Sequence, residues 1–379
     1  MRRGVLLWSG VAIGVALAAG CAMPIEIVVG GQAHGAIYVA EAARPTENEA
    51  ARELQYHIRR ATGTELPILS EADVAAAPSS QTRVYVGRTR RAMEVGLALE
   101  DLPPEHYRVK AADGEVFFVG HDLEKSPATM WAVGAYLDRH LGIRWLWPGE
   151  LGTHVPHHAS IAVPADLDLT GGPQLQQRRF RARRDDEELQ TWLRRQQMGS
   201  RMTYRFGHAF MDWWEKYHGD HADYFAVPPE GQQQPWPRAE RVKLNLGNPA
   251  VAQRVVQEWE EAGAPANWNV CPNDGSGWCT GDSTRALDPP ELHDVSDVDL
   301  WNGRANLTPR FVRFWNQILD RMRQRNPDVT LSSYAYGAYR EPPPEGLTLE
   351  PGMVLGIVNT YEAYDSWGAW HDTGARLVL

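Results

Sequence analysis

Four places in the second half of this sequence set groups that move protons or bind hydroxyls directly after apolar runs. Gly207-His208 closes one run, and Pro272-Asn273-Asp274-Gly275-Ser276-Gly277-Trp278 follows the next. Tyr334-Ala335-Tyr336, with Arg340-Glu341 shortly after, and Asn359-Thr360-Tyr361-Glu362, with Asp365 nearby, make up the rest. Asp274, Glu341, Glu362 and Asp365 are the carboxyl groups among them, and hydrolysis of a glycosidic bond usually needs two such groups, one a protonated donor. Spacing does not single one out: Asp274 beside Gly275 also suits a turn, and Glu341 precedes three prolines. Asn273, Trp278, Tyr334, Tyr336, Asn359 and Tyr361 suit a carbohydrate ligand, rings lying on sugar C–H faces while amides bond hydroxyls. His208 fits the same set as a hydroxyl-binding or orienting group, although a lone histidine is more often structural.

Composition narrows the classes. Lys and Arg number 38 against 48 Asp and Glu, a formal charge of −10, which argues against nucleic acid as a partner. Fifteen Trp and thirteen Tyr against eight Phe favour rings that also carry a polar group, as sugar clefts and interface anchors do. Cys271 and Cys279 have no histidine partner at zinc-like spacing, so no metal or other cofactor is expected; a disulfide and two free thiols both remain open.

The elements that must position these groups fall into two blocks. Residues 22–166 read as an α+β domain. Runs at 25–29, 36–40, 82–87 and 115–120 are strands, and helices span 46–62, capped by Asn48, and 126–141; Gly63 and Gly142 stop them. This order suggests a sheet covered on one face. A Gly171-Gly172-Pro173 linker follows, and 174–379 alternates strand and helix in the manner of a parallel α/β barrel of the (β/α)8 TIM type. Its expected strands are 180–183, 203–208, 267–270, 329–336, 353–358 and 376–379, with helices at 186–198, 249–262 and 306–325. Six strands fall short of the eight a barrel needs, and the sequence ends within an apolar run, so the barrel is expected to be incomplete.

Residues 1–21 read as a secretion leader. Arg2-Arg3 precede a short apolar stretch, and Ala18-Ala19-Gly20-Cys21 places small residues before a cysteine. The pattern predicts export to a bacterial cell envelope, with Cys21 lipidated and anchoring the protein to a membrane.

Several longer motifs carry a family resemblance. Glu53-Leu54-Gln55-Tyr56-His57-Ile58 with Thr62-Gly63-Thr64-Glu65-Leu66-Pro67-Ile68 resembles the accessory domain that precedes the barrel in β-hexosaminidases and α-glucuronidases. Leu141-Gly142-Ile143-Arg144-Trp145-Leu146-Trp147-Pro148 is similar to its closing motif. Tyr204-Arg205-Phe206-Gly207-His208, Asp223-Tyr224-Phe225-Ala226, Gly247-Asn248-Pro249, Pro272 to Cys279 and Arg310 to Asn316 resemble glycoside hydrolase family 163, catalogued earlier as domain of unknown function 4838. That resemblance implies a retaining endo-β-N-acetylglucosaminidase acting on N-glycans, in which the substrate's own acetamido group serves as nucleophile. It also implies a barrel that continues past residue 379. A non-catalytic glycan-binding surface lipoprotein is the alternative.

Overall fold

The computed structural model describes residues 23–179, 183–358, 369–370 and 376–378. The expected leader with Cys21, residues 180–182, and Asn359, Tyr361, Glu362 and Asp365 lie outside the described residues. The chain divides into two compact units, Met1–Met202 and Thr203–Leu379.

The first unit is built on a six-stranded mixed sheet in the order Asp168–Gly171, Tyr107–Ala112, Glu115–Gly120, Thr82–Val86, Gly35–Val39 and Ile68–Ser70. Neighbours among the first three strands run antiparallel, and those among the last four run parallel. Ile37, Val84, Val86, Val116 and Phe118 pack on the helices Pro45–Thr62 and Ala128–Leu141. On the opposite face Tyr38, Tyr85, Phe117 and Val119 bury themselves with Ala92 and Leu97. The sheet is therefore covered on both faces, not one, which explains why its central strands are apolar at nearly every position. The strand Ile25–Val29 leaves this sheet and pairs instead with Ile161–Val163.

The helix stops at Gly63 and Gly142 hold, with φ of 78° and 68°, a conformation that glycine adopts without the clash of a Cβ. The expected cap at Asn48 does not. Pro45 opens the helix, Glu47 accepts the Arg44 N–H at 2.7 Å, and Asn48 turns its amide back onto the Ala43 and Arg44 carbonyls. The first unit also extends beyond the Gly-Gly-Pro segment. The helix Glu187–Arg195, expected as a barrel element, packs within this unit: the Trp192 indole donates to Trp145 O, the Trp131 indole to Arg194 O, and Arg195 pairs with Glu53 at 2.5 Å.

The second unit centres on four parallel strands, Asn267–Asn269, Thr330–Ala335, Met353–Ile357 and Arg376–Val378, paired in that order. The helix Thr308–Arg323 packs its buried face of Phe311, Phe314, Trp315, Ile318, Leu319 and Met322 into the core, as its spacing predicts. The helix Pro249–Glu261 adds Val251, Ala252, Val255 and Trp259, and its amino terminus is capped by Asn248, which accepts from Ala250 N. Among the described residues four of the six expected strands form one open parallel sheet, and no closed barrel is seen, so the strand count falls short of the expectation. One reason is visible at 203–208. This segment forms no ladder, because the Asn267 side chain accepts from Arg205 N, Asn269 donates to Gly207 O and the Ser332 hydroxyl donates to Arg205 O. Side chains thus hold the segment where a strand's own amides and carbonyls would have done so. The expected strand at 180–183 falls largely outside the described residues.

Candidate functional site

A cleft of about 510 Å³ opens where the chain leaves the carboxyl ends of the strands Asn267–Asn269 and Thr330–Ala335. Its walls include His208, Asn273, Asp274, Trp278, Tyr334 and Tyr336, six residues that the sequence nominates from three separate segments. Strand ends in parallel sheets converge in this way because every strand delivers its following loop to the same edge. Glu341 is not in these walls: its side chain is 52% exposed and pairs with Arg340 at 3.1 Å. Asp274 is therefore the one carboxylate among the described residues of the cleft.

Strand periodicity sets the aromatic wall. Tyr334 and Tyr336 are two apart and point to one side, while Ala335 between them is buried on the other. Tyr334 stacks on Phe206, the ring centres 5.2 Å apart and the planes 25° from parallel. The stack fits because the facing residue on the neighbouring strand is Gly356, where a Cβ would lie 2.9 Å from the Tyr334 ring and 3.0 Å from that of Phe206.

The loop after Asn269 forms the floor. His208 lies 3.1 Å from Pro272 O through Nδ1, so Nδ1 carries the hydrogen in this contact. Asn273 is buried, and its side chain is already engaged: Oδ1 accepts from Phe210 N, while Nδ2 donates to Phe210 O and Val242 O. It ties three segments together, and its two N–H donors are not free for a sugar hydroxyl. Asp274 is 40% exposed, with Arg241 at 3.8 Å. Trp278 is nearly buried, set edge-to-face against Phe311 and Tyr339. Gly303, at φ 70°, permits that packing, since a Cβ there would stand 2.6 Å from the Trp278 indole nitrogen. Trp236 stands beside this loop, 37% exposed, with its indole directed at Ser276, which belongs to the cleft wall.

Lys243 is the residue the sequence reading missed. It is 3% exposed, donates to Asn273 O and places Nζ 4.2 Å from the centre of the Trp278 ring. Burial pulls its amine down to about 7, with Asp274 pushing the other way and Arg241 adding to the fall. A signal was present in the sequence: the chain has four lysines among 38 basic residues, and this one is flanked by Val242 and Leu244. Asn302, Ser276 and Tyr339 join the walls as well; burial pushes the Tyr339 phenol up. Cys271 and Cys279 are both buried free thiols, and burial raises Cys271 to about 11, so it is inert at neutral pH. Together these groups give an aromatic wall, one ionisable carboxylate, one amine poised near neutrality and one imidazole.

A family model described as a domain of unknown function (DUF4838) matches residues 147–360. No curated protein matches. Among solved structures, a chitobiase from Flavobacterium johnsoniae is similar at 10% identity and a TM-score of 0.42, the match covering 93% of this chain and 56% of that one. A Streptomyces plicatus N-acetyl-β-hexosaminidase is similar at 13% identity and a TM-score of 0.36, covering 93% of this chain and 70% of the enzyme.

Proposed function

Because the chain belongs to the DUF4838 family, we propose that its second unit is a glycoside hydrolase-type domain acting on glycans that contain N-acetylglucosamine. The observation that carries this reading is the cleft itself: Tyr334, Tyr336 and the edge of Trp278 offer surface to sugar C–H faces, beside Asp274, His208 and Lys243 as polar partners. In the retaining, substrate-assisted reaction that the sequence motifs imply, the acetamido oxygen of the sugar attacks its own anomeric carbon. Asp274, acting as a carboxylate, would hold the acetamido N–H and stabilise the positive charge that develops on that group. Protonation of the leaving oxygen needs a second group, for which the sequence offers Glu341, Glu362 and Asp365 without singling one out.

A second reading, a glycan-binding protein without turnover, is favoured by one specific observation: Asp274 stands without a second carboxylate among the described residues of the cleft. We further propose that Cys21 tethers the protein to the bacterial envelope, where glycoprotein glycans are met. Incubating the full chain with N-glycosylated protein separates the readings. Released oligosaccharide supports the hydrolase, binding without release leaves the glycan-binding reading, and neither outcome sinks both.

A further inference from the structure

Lys243 is an unusual choice for its place. The chain uses arginine for nearly all its positive charge, and the other three lysines, Lys110, Lys125 and Lys216, are half-buried or exposed. Arginine keeps its charge when buried, whereas lysine gives up its proton. Lys243 also faces two spaces. On one side lies the cleft; on the other lies a small interior cavity of about 20 Å³ lined by Phe210, Phe311 and Phe314. Its hydrogen-bond acceptor is the backbone oxygen of Asn273, the residue directly before Asp274.

We propose that Lys243 is a positioning residue of this cleft: its amine, docked on the Asn273 carbonyl and the Trp278 ring, holds the loop that presents Asp274 to a bound sugar. The inference rests on the glycan reading of the same site for its ligand, and on geometry for its mechanism. Asn273 is fixed by three side-chain bonds to Phe210 and Val242, and Lys243 adds the fourth link, from the side of the cleft. As an ammonium, Lys243 donates to that carbonyl and attracts Asp274 while lying against the ring face. As a neutral amine, it keeps a weaker hydrogen bond and loses both charge interactions. The charged groups that bear on it are Asp274, which favours the ammonium, and Arg241, which opposes it. Arg310 lines the interior cavity but is neutralised by Asp288, with which it forms a doubly bonded buried pair. Cys279 lines that cavity too, while His208, Tyr334, Tyr336 and Tyr339 line the cleft. Proton binding by Lys243 and the placing of Asp274 are therefore coupled.

The test follows the Nζ resonances of the full chain labelled with 13C,15N-lysine, from about pH 5 to 11. Four lysines give few signals, and Lys→Arg changes at the three other sites assign them. Lys243 is expected to lose its proton well before the others, and Asp274→Asn is expected to move its midpoint lower still. Titration of Lys243 alongside the other lysines, or a midpoint unmoved by Asp274→Asn, overturns the proposal without reference to any ligand. A second arm measures binding of N,N′-diacetylchitobiose across the same range. Affinity should fall severalfold through the Lys243 midpoint in the native chain, and be weak and flat with pH in Lys243→Met and Lys243→Gln. A flat profile in the native chain with binding intact also overturns it. Absence of disaccharide binding at every pH sinks the glycan reading, and the resonances then decide the role of Lys243 alone.

Discussion

The amine of Lys243 stands 4.2 Å from the centre of the Trp278 ring, and both residues line the cleft that holds Asp274. An amine in so dry a place costs stability to keep charged. The folded value is about 7 against an ordinary 10.5, so between those limits the unfolded chain binds more protons and stability rises with pH. Lys243→Met removes that titration. We expect the variant to exceed the native chain by about 2 kcal/mol below pH 7, once the lost bond to Asn273 O is subtracted. The advantage should shrink as pH rises from 7 toward 10.5. Urea denaturation at three pH values measures it, and a difference that stays constant with pH would show that Lys243 titrates normally.

Gly356 is where the sheet makes room for the aromatic wall. Gly356→Ala would place a methyl 2.9 Å from the Tyr334 ring and 3.0 Å from Phe206, so the stacked pair must shift. Overpacking of this kind costs about 1–3 kcal/mol. The melting temperature should fall, and glycan affinity should fall with it because Tyr334 is displaced from the cleft. Unchanged values of both would mean that the stack moves freely and that its position is not fixed by the sheet.

Trp236 offers a separable test of sugar contact. Its ring is 37% exposed and its indole reaches Ser276 at the cleft wall. Trp236→Ala should change stability by no more than about 0.5 kcal/mol, as surface substitutions usually do. Loss of an aromatic platform worth about 0.5–1.5 kcal/mol should weaken binding of a long N-glycan roughly 2- to 10-fold. Binding of the short disaccharide should change less. Equal losses for the two ligands would place Trp236 inside the first sugar site instead of beside it.

The sequence made the cleft legible wherever chemistry coincides with strand ends. His208, Asp274, Tyr334 and Tyr336 were readable because a parallel sheet must deliver its carboxyl-end loops to one edge. Helix Thr308–Arg323 was readable from its apolar period. Three things were not. Asn273 looks like a sugar ligand by type, yet its amide is spent on Phe210 and Val242, a long-range pairing that spacing does not encode. Lys243 lies in a stretch without regular secondary structure, so no strand end pointed to it. The residues 203–208 carry a strand-like apolar pattern, but asparagine and serine side chains took the bonds a ladder would have made. The incomplete barrel was legible only in part for the same reason: alternation of strand and helix fixes parallel pairing, as the four parallel strands have it, but not strand number.

The proposed leader makes a prediction independent of the cleft. Lipid transfer to Cys21 would need its thiol, since the proposed anchor is a thioether. The full chain expressed in a bacterium should partition into the detergent phase and incorporate labelled fatty acid. Cys21→Ser should partition into the aqueous phase and take up no label. Label retained by the serine variant would exclude Cys21 as the modified residue.

The carboxylates separate the two readings of function most sharply. Asp274 lies in the cleft wall, 40% exposed, and Glu341 lies outside it, 52% exposed and paired with Arg340. If Asp274 holds the acetamido group during cleavage, Asp274→Asn should keep glycan binding within about threefold, because the amide retains one acceptor oxygen. Its kcat should drop by about 100-fold or more, the usual effect of removing one group that stabilises developing charge. Glu341→Gln should leave both kcat and KM unchanged. If Glu362 is the proton donor, Glu362→Gln should lower kcat most for substrates whose leaving sugar is a poor leaving group and least for an activated aryl glycoside. Full turnover by Asp274→Asn would remove it from the chemistry and return the cleft to a binding role.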